Sequence, residues 1–153
     1  MKYTVRYAHL ASEPKYKDGD AILYGDALGK IGNTGHSTAP HLHLDVVQGW
    51  RADRYTLGMI EAGDPAPAPK QCNYFIDRDL FHDLPVITTY YADPDYMQIF
   101  KKLHLAYDLV PEGRHRPGAP LLIYWNRSMP GRVLRVMNDM DGYGHCLYVG
   151  FEA

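Results

Sequence analysis

Short runs of alternating apolar and polar residues recur along the chain, with Gly, Pro, Asn and Asp between them. Clear examples are residues 3–7, 120–125 and 132–137. Alternation places every second side chain on one face of a strand, and runs bounded by turn-forming residues are typical of antiparallel sheets. The pattern predicts a mainly β fold with an antiparallel β-sheet core and few short helices. Residues 95–105 are the best helical candidate.

Composition and charge narrow the class of protein. With 153 residues, 46% of them apolar, the chain is long enough for one domain with a proper core. The net charge is −2 and Lys and Arg do not cluster. This argues against a nucleic acid or an anionic membrane surface as the main partner. The sequence has no apolar run that could span a bilayer and no basic-then-apolar leader, so we expect neither membrane insertion nor an export signal.

The most informative segment is residues 32–45, GNTGHSTAPHLHLD, a Gly-rich turn followed by an apparent strand. Alternate side chains of a strand share a face, so His41 and His43 should project together while Leu42 and Leu44 enter the core. Two imidazoles on one face can bind one metal ion, or one can bind and the other can move protons. The segment therefore predicts a metalloenzyme.

A second motif precedes this segment, and the two together resemble a known family. Residues 7–10 read YAHL, and the segment from Gly32 to His43 reads GNTGHSTAPHLH. In this order they resemble the C-terminal half of the lysostaphin-type, or beta-lytic, zinc peptidoglycan metalloendopeptidases. That half carries Tyr-x-His-Leu and then Gly-x-Thr-Gly-x-Ser-Thr-x-Pro-His-Leu-His.

The first half of that family resembles the other end of this chain. The corresponding segments are residues 104–110, 118–123, 131–136 and 141–149. Read from about residue 85 to 153 and then from 1 to 47, the family order is restored. The resemblance thus implies one circularly permuted domain. Residues 1–47 form the family C-terminal half, 48–84 a connector and 85–153 the family N-terminal half.

Permutation also predicts a strand pairing. Residues 146–151 and 3–8 should be neighbouring strands, since a hairpin would connect them in the unpermuted order, and loop tips are where permutation is tolerated. The alternative is a junction of fragments whose halves pair with other copies. In the connector, residues 64–69 (DPAPAP) form a spacer prone to polyproline II, whereas residues 71–84 should pack back on the domain.

The resemblance also implies the site. His104, Asp108 and His43 would be the zinc ligands, His41 the general base, and His9 the group that stabilises the oxyanion or protonates the leaving amine. The residues alone leave other interpretations open. His104 and Asp108 have the spacing of an exposed i, i+4 pair on a helix. His9 alone could be an ordinary strand histidine with a hydrogen bond.

For several other residues around these motifs, the sequence suggests a structural role or leaves the role open. Asp45 stands where the family often carries Glu, so we expect it beside the ligands or in a structural role. Gly32 and Gly35 fit a tight turn that needs positive φ. Cys146 should be a buried thiol, although a disulfide with Cys72 stays open. The remaining candidates are His36, which could line the cleft; His82, His115 and His145, expected at the surface or in packing; and Tyr90, Tyr91 and Tyr96, which could contact substrate or pack.

The implied activity is zinc-dependent hydrolysis of amide bonds in the peptide part of bacterial peptidoglycan. A chain without an export signal could reach the cell wall in a phage particle or on lysis. The rival hypothesis is non-catalytic: a metal-binding structural or wall-binding module of a virion or a cell-wall assembly. Survival of all five site residues favours the enzyme.

Overall fold

The computed structural model describes residues 2–52, 75–101, 104–119 and 121–153. Strands account for most of the regular structure in these ranges. The strands are β1 (Lys2–Leu10), β2 (Ala21–Ile22), β3 (Ala27–Lys30), β4 (Leu42–Gln48), β5 (Pro85–Thr89), β6 (Tyr107–Pro111), β7 (Leu122–Tyr124), β8 (Gly131–Asp139) and β9 (Gly144–Glu152). A 3-10 turn at Arg78–Leu80 and one α-helix, α1 (Pro94–Phe100), complete the described elements.

Seven strands form one antiparallel sheet in the order β2-β8-β9-β1-β4-β6-β5, and β3 pairs with β7 in a smaller sheet. This confirms the predicted mainly β, antiparallel fold. The alternating runs 3–7 and 132–137 lie in β1 and β8. The run 120–125 forms a shorter strand than predicted, β7, and residue 120 lies outside the described residues.

The hydrophobic core explains why these runs become strands. Leu42 and Leu44 of β4 are both fully buried, as the alternation predicted. Each buried leucine contributes about 1.5–3 kcal/mol relative to an exposed one. Residues 71–84 are described from Phe75 onward, and the buried rings of Phe75 and Phe81 confirm that this part of the segment packs on the domain. Residues 64–69 lie outside the described residues.

The helix is shorter than predicted. Asp93 caps α1 by accepting a hydrogen bond from the Asp95 N–H, and Pro94 occupies the first turn. At the other end, Lys101 adopts a left-handed conformation with φ of 59° and donates its N–H to the Met97 carbonyl, which ends the helix at Phe100. The predicted range 95–105 is therefore wrong at residues 101, 104 and 105, whereas residues 102 and 103 lie outside the described residues. None of the helices in the described ranges has the length and apolarity needed to cross a membrane.

Cys146 is a buried free thiol in β9, which agrees with its predicted packing role. Burial raises the pKa of this thiol to about 12, so it is protonated and unreactive at neutral pH. Cys72, its only candidate partner in the sequence, lies outside the described residues.

One ion pair is completely buried in the sheet. Arg6 of β1 and Asp45 of β4 are cross-strand partners, and both are 0% exposed. The Arg6 Nε–H donates to Asp45 Oδ1 at 3.0 Å, and Arg6 Nη2 contacts Asp45 Oδ2, so the pair is bidentate. The Arg6 guanidinium carbon also lies 3.6 Å from the centre of the Tyr143 ring.

We expect Asp45→Ala to lower the free energy of unfolding by about 3–5 kcal/mol, because it leaves the Arg6 guanidinium buried without its counter-charge. The double variant R6M/D45V should recover most of this loss, since apolar side chains replace both charges. Urea unfolding measures the change.

Lys2→Ala is the matched control for this experiment. Lys2 and Glu152 form an exposed ion pair at 3.9 Å on neighbouring strands, and an exposed pair contributes at most about 1 kcal/mol. Equal effects of Asp45→Ala and Lys2→Ala would contradict the stabilising role of the buried pair.

Candidate metal centre

Three central strands bring the predicted site residues together. Ala8 of β1 pairs with His43 of β4, and His43 pairs with Asp108 of β6. His9 follows Ala8, so its side chain lies at the same level of the sheet. The other two residues enter from just outside the strands: His41 bridges to Gly32 before β4, and His104 precedes β6.

Two imidazoles and one carboxylate form a compact set of potential ligands. His43 Nδ1 lies 3.2 Å from Asp108 Oδ1, and His104 Nε2 lies 3.4 Å from Asp108 Oδ2. One ligand atom from each residue falls within 4.8 Å of the other two. Bonds of 2.0–2.2 Å to a tetrahedral zinc ion require ligand atoms about 3.4 Å apart. Among the described residues this is the only group of three with such proximity.

The chemistry of the Asp108 carboxylate also suits a cation. Its side chain is only 14% exposed, and its Oδ1 accepts no hydrogen bond from the part of the chain that the structure describes. Burial alone would raise the pKa of Asp108, but His104, His41 and His43 hold it far below its ordinary value, so the group is ionised. A buried carboxylate surrounded by imidazoles has the donor types that zinc prefers. These residues therefore fit a zinc ion.

The helical interpretation of His104 and Asp108 is wrong. His104 is 4% exposed, and Asp108 lies on strand β6 rather than on a helix. Helix α1 ends at Phe100, before either residue. Their contact therefore occurs inside the domain and is not an exposed i, i+4 pair.

Backbone carbonyls orient two of the histidines. The His104 Nδ1–H donates to the Tyr90 carbonyl at 3.1 Å, and the His41 Nδ1–H donates to the Ala39 carbonyl at 2.8 Å. A carbonyl can only accept, so in the neutral ring each bond leaves Nε2 with its lone pair free. Both Nε2 atoms lie 3.4 Å from an oxygen of Asp108. Burial would lower the pKa of His41, but Asp108 raises it above its ordinary value.

His9 occupies an irregular position in β1. The register of β1 against β9 shifts between Tyr7 and Leu10, and His9 has a φ of 60°. Its Nδ1–H donates to the Thr34 carbonyl at 2.7 Å, and its ring centre lies 5.0 Å from that of His41. Burial lowers the pKa of His9 to about 4, so its imidazole is neutral at pH 7. His9 is thus both a hydrogen-bonded strand histidine and a member of the cluster.

The Gly-rich turn is held against the loop before β9. Gly35 has a φ of 74°, as predicted, and a Cβ there would lie 2.3 Å from the Gly144 nitrogen. The prediction of a positive φ at Gly32 is wrong, because its φ is not positive. A Cβ at Gly32 would lie 2.4 Å from the Ala11 backbone, so close approach of two chain segments, rather than φ, requires glycine there.

Two tyrosines complete the surroundings of the cluster. The ring of Tyr96 on α1 is tilted by 48° against that of His104, with ring centres 4.7 Å apart, so Tyr96 packs on a candidate ligand. Tyr143 was not among the predicted site residues, yet its ring centre lies 5.5 Å from that of His43 and 6.3 Å from that of His9. The Gly-Tyr-Gly segment at residues 142–144 was the available sequence signal.

The other histidines lie outside the cluster. His36 and His115 are exposed, and His145 is half-buried. His82 is exposed and stacks on Tyr124 with ring centres 3.6 Å apart.

Asp45 lies beside the cluster, as expected, with its Oδ2 located 3.5 Å from His43 Nε2.

Comparison with known proteins supports the resemblance seen in the sequence. The model of Peptidase family M23 matches residues 1–54. The chain is 46% identical over 44 residues to an uncharacterized metalloprotease of Buchnera aphidicola, covering 29% of this chain and 11% of that protein. It is 30% identical over 76 residues to the peptidoglycan DD-endopeptidase ShyA of Vibrio cholerae, covering 50% of this chain and 17% of that protein.

The chain thus spans less than a fifth of the length of either relative. No solved structure matches it significantly. The family match includes the strand with His9 and the segment with His41 and His43, the motifs on which the resemblance depends. The lysostaphin-type resemblance is therefore confirmed over residues 1–54, the part of the chain that matches the model of Peptidase family M23.

Proposed function

We propose that this chain is a zinc-dependent endopeptidase that hydrolyses amide bonds in the peptide part of bacterial peptidoglycan. The observation that carries the proposal is the convergence of ligand atoms from His43, His104 and Asp108 within 4.8 Å, with His41 and His9 beside them. The match of residues 1–54 to the model of Peptidase family M23 supports amide hydrolysis. The name of the Vibrio relative supports peptidoglycan as the substrate class.

His43, His104 and Asp108 would hold the zinc ion. When bound, zinc lowers the pKa of a coordinated water towards about 7 and polarises a substrate carbonyl. His41 takes the proton from the attacking water at Nε2, because its Nδ1–H is committed to the Ala39 carbonyl. Its Nε2 faces the same carboxylate as the two ligand histidines, so it lies beside the ligand set.

His9 is placed to act after His41, on the oxyanion or on the leaving amine. Its Nδ1–H is committed to the Thr34 carbonyl, so the neutral ring has no second proton to donate. It must first gain a proton at Nε2, and it can then stabilise the developing oxyanion or pass the proton to the leaving amine. Of these roles, protonation of the leaving amine fits better, because it occurs late in the reaction, after His41 has taken from the attacking water a proton that can pass on to His9 Nε2.

We further propose that the domain is circularly permuted as the sequence order implies. Supporting this, β1 and β9 pair along their length, with Tyr3 opposite Phe151. Strands β1 and β4, from residues 1–47, lie between β9 and β6, from residues 85–153, in one sheet of one chain. This arrangement favours one intact domain over a junction of fragments.

The non-catalytic alternative would retain a metal site without the proton-transfer groups. Here both His41 and His9 lie against the ligand set, which favours an enzyme. Association with a virion stays a prediction, as does release on lysis.

The purified chain should bind about one zinc ion, and a chelator should abolish its clearing of a purified peptidoglycan suspension. Asp108→Ala should lose both the metal and the activity, because the anionic ligand disappears. Metal content by atomic emission and turbidity of the wall suspension provide the measurements. His115→Ala removes an exposed histidine as control and should change neither. Full zinc content in Asp108→Ala would refute the ligand set.

His41→Ala should lower the rate of wall hydrolysis by about 10²–10⁴-fold while zinc stays bound, since a general base is lost and no ligand is removed. His36→Ala is the matched control, because His36 lies in the same segment but is exposed. Loss of zinc in His41→Ala would show that His41 is a ligand and that its proposed role is wrong.

A rearranged chain tests the permutation. Residues 85–153 would be followed, through a short Gly-rich loop, by residues 1–84, since Lys2 and Glu152 are paired neighbours. We expect this chain to fold, to bind one zinc ion and to clear peptidoglycan like the original. A folded original whose rearranged form cannot fold would argue against the proposed order of the two halves.

A further inference from the structure

We infer that Asp45, held by Arg6, is a positioning residue that fixes the His43 imidazole with its proton on Nε2 and its Nδ1 lone pair directed at the metal. The inference rests on the zinc site proposed above. It concerns how a ligand is oriented, and Asp45 itself does not contact the metal.

His43 is oriented differently from His104 and His41. Those two rings donate Nδ1–H to a backbone carbonyl and direct Nε2 towards Asp108. The His43 ring is reversed. Its Nδ1 lies 3.2 Å from Asp108, and its Nε2 points to the opposite side of the cluster. A ring in this orientation can bind the metal only when its proton is on Nε2.

A carboxylate oxygen of Asp45 is the acceptor placed to receive that proton. Within the described ranges His43 Nε2 is buried and forms no hydrogen bond, and Asp45 Oδ2 lies 3.5 Å away. This separation is longer than the usual 2.7–3.2 Å, so a small rotation of the ring completes the bond. A buried N–H without an acceptor would cost about 1–3 kcal/mol, which favours that rotation.

Strand geometry explains why Asp45 is available to His43. Residues two apart in β4 share a face, so Asp45 follows His43 on the same side of the sheet. Burial would raise the pKa of Asp45, but Arg6 holds it below its ordinary value, so the group stays a carboxylate and accepts only. The bidentate contact with Arg6 fixes the plane in which its oxygens lie.

Tyr143 separates Arg6 from the metal cleft. Its ring centre lies 3.6 Å from the guanidinium carbon of Arg6 and 5.5 Å from the ring centre of His43. The cation is therefore covered by an aromatic face and pairs with Asp45 instead of competing for Asp108.

An amide could not replace the Asp45 carboxylate. Arg6 and the His43 Nε2–H are both donors, whereas asparagine offers one acceptor and one donor. If the oxygen of an asparagine at this position accepts from Arg6, its N–H faces Nε2. This arrangement favours the opposite His43 tautomer, with the proton on Nδ1, where it blocks the metal-binding lone pair.

Zinc affinity of the full chain tests this inference, measured by competition with a chromophoric chelator. Asp45→Asn should weaken zinc binding by about 10- to 100-fold. The double variant R6M/D45V should weaken it similarly while unfolding near the wild-type urea concentration, because it leaves no buried charge unpaired. Glu152→Gln, which removes an exposed carboxylate at the far end of the sheet, is the control and should bind zinc normally. Wild-type zinc affinity in a folded R6M/D45V would overturn the inference, because a purely structural pair predicts that result.

The His43 tautomer provides a test that needs neither a variant nor metal. Nitrogen-15 NMR of the metal-free wild type at alkaline pH, where imidazoles are neutral, should place the His43 proton on Nε2 and those of His104 and His41 on Nδ1. A His43 proton on Nδ1 would overturn the inference. If the wild type binds no zinc, the proposed function fails, whereas this spectrum still decides whether the His43 proton lies on Nε2, as the inference requires.

Discussion

The site depends above all on the register between β1, β4 and β6. Ala8, His43 and Asp108 lie side by side across these strands, and a slip of one residue would turn His43 towards the opposite face. The register is specified by the apolar neighbours of the site residues. Leu42 and Leu44 are fully buried, so the slipped arrangement would expose both to water and bury histidines in their place.

The two carboxylates of the site have different electrostatic roles. Asp45 faces Arg6, so its charge is compensated inside the fold. Asp108 faces three imidazoles, which are weak bases that become neutral as pH rises. Its negative charge is therefore the one that a cation can use. The fold thus pairs Asp45 with a permanent cation and leaves Asp108 among titratable imidazoles. The first carboxylate is suited to a structural role and the second to binding a cation.

Local patterns in the sequence were sufficient for much of this picture. Alternation predicted β1, most of β8 and the shared face of His41 and His43, because these depend on the period of a strand. The end of α1 at Lys101 was missed, since a left-handed lysine has no clear sequence signal. The role of Gly32 was misassigned because its crowding comes from Ala11, which reaches it through tertiary packing.

The partners of Asp45 and Tyr143 required the fold itself. Arg6 and Asp45 are separated by 39 residues and meet only because β1 pairs with β4. Tyr143 reaches His43 from the loop before β9, and nothing in its local sequence distinguishes a packing tyrosine from one that covers a buried cation. The family resemblance pointed to the proposed ligands, whereas the groups proposed to orient them depend on contacts specific to this chain.

The backbone at His9 has a consequence for how this protein could change under selection. A histidine with φ of 60° lies in the left-handed region, which costs a non-glycine residue about 1–2 kcal/mol. Glycine at this position would relax the bulge of β1 and would also remove the imidazole. Selection for thermal tolerance alone would therefore favour losing this side chain, whereas selection for the proposed hydrolytic role would preserve the strained histidine. At position 9, fold stability favours glycine, whereas the proposed catalytic role requires histidine.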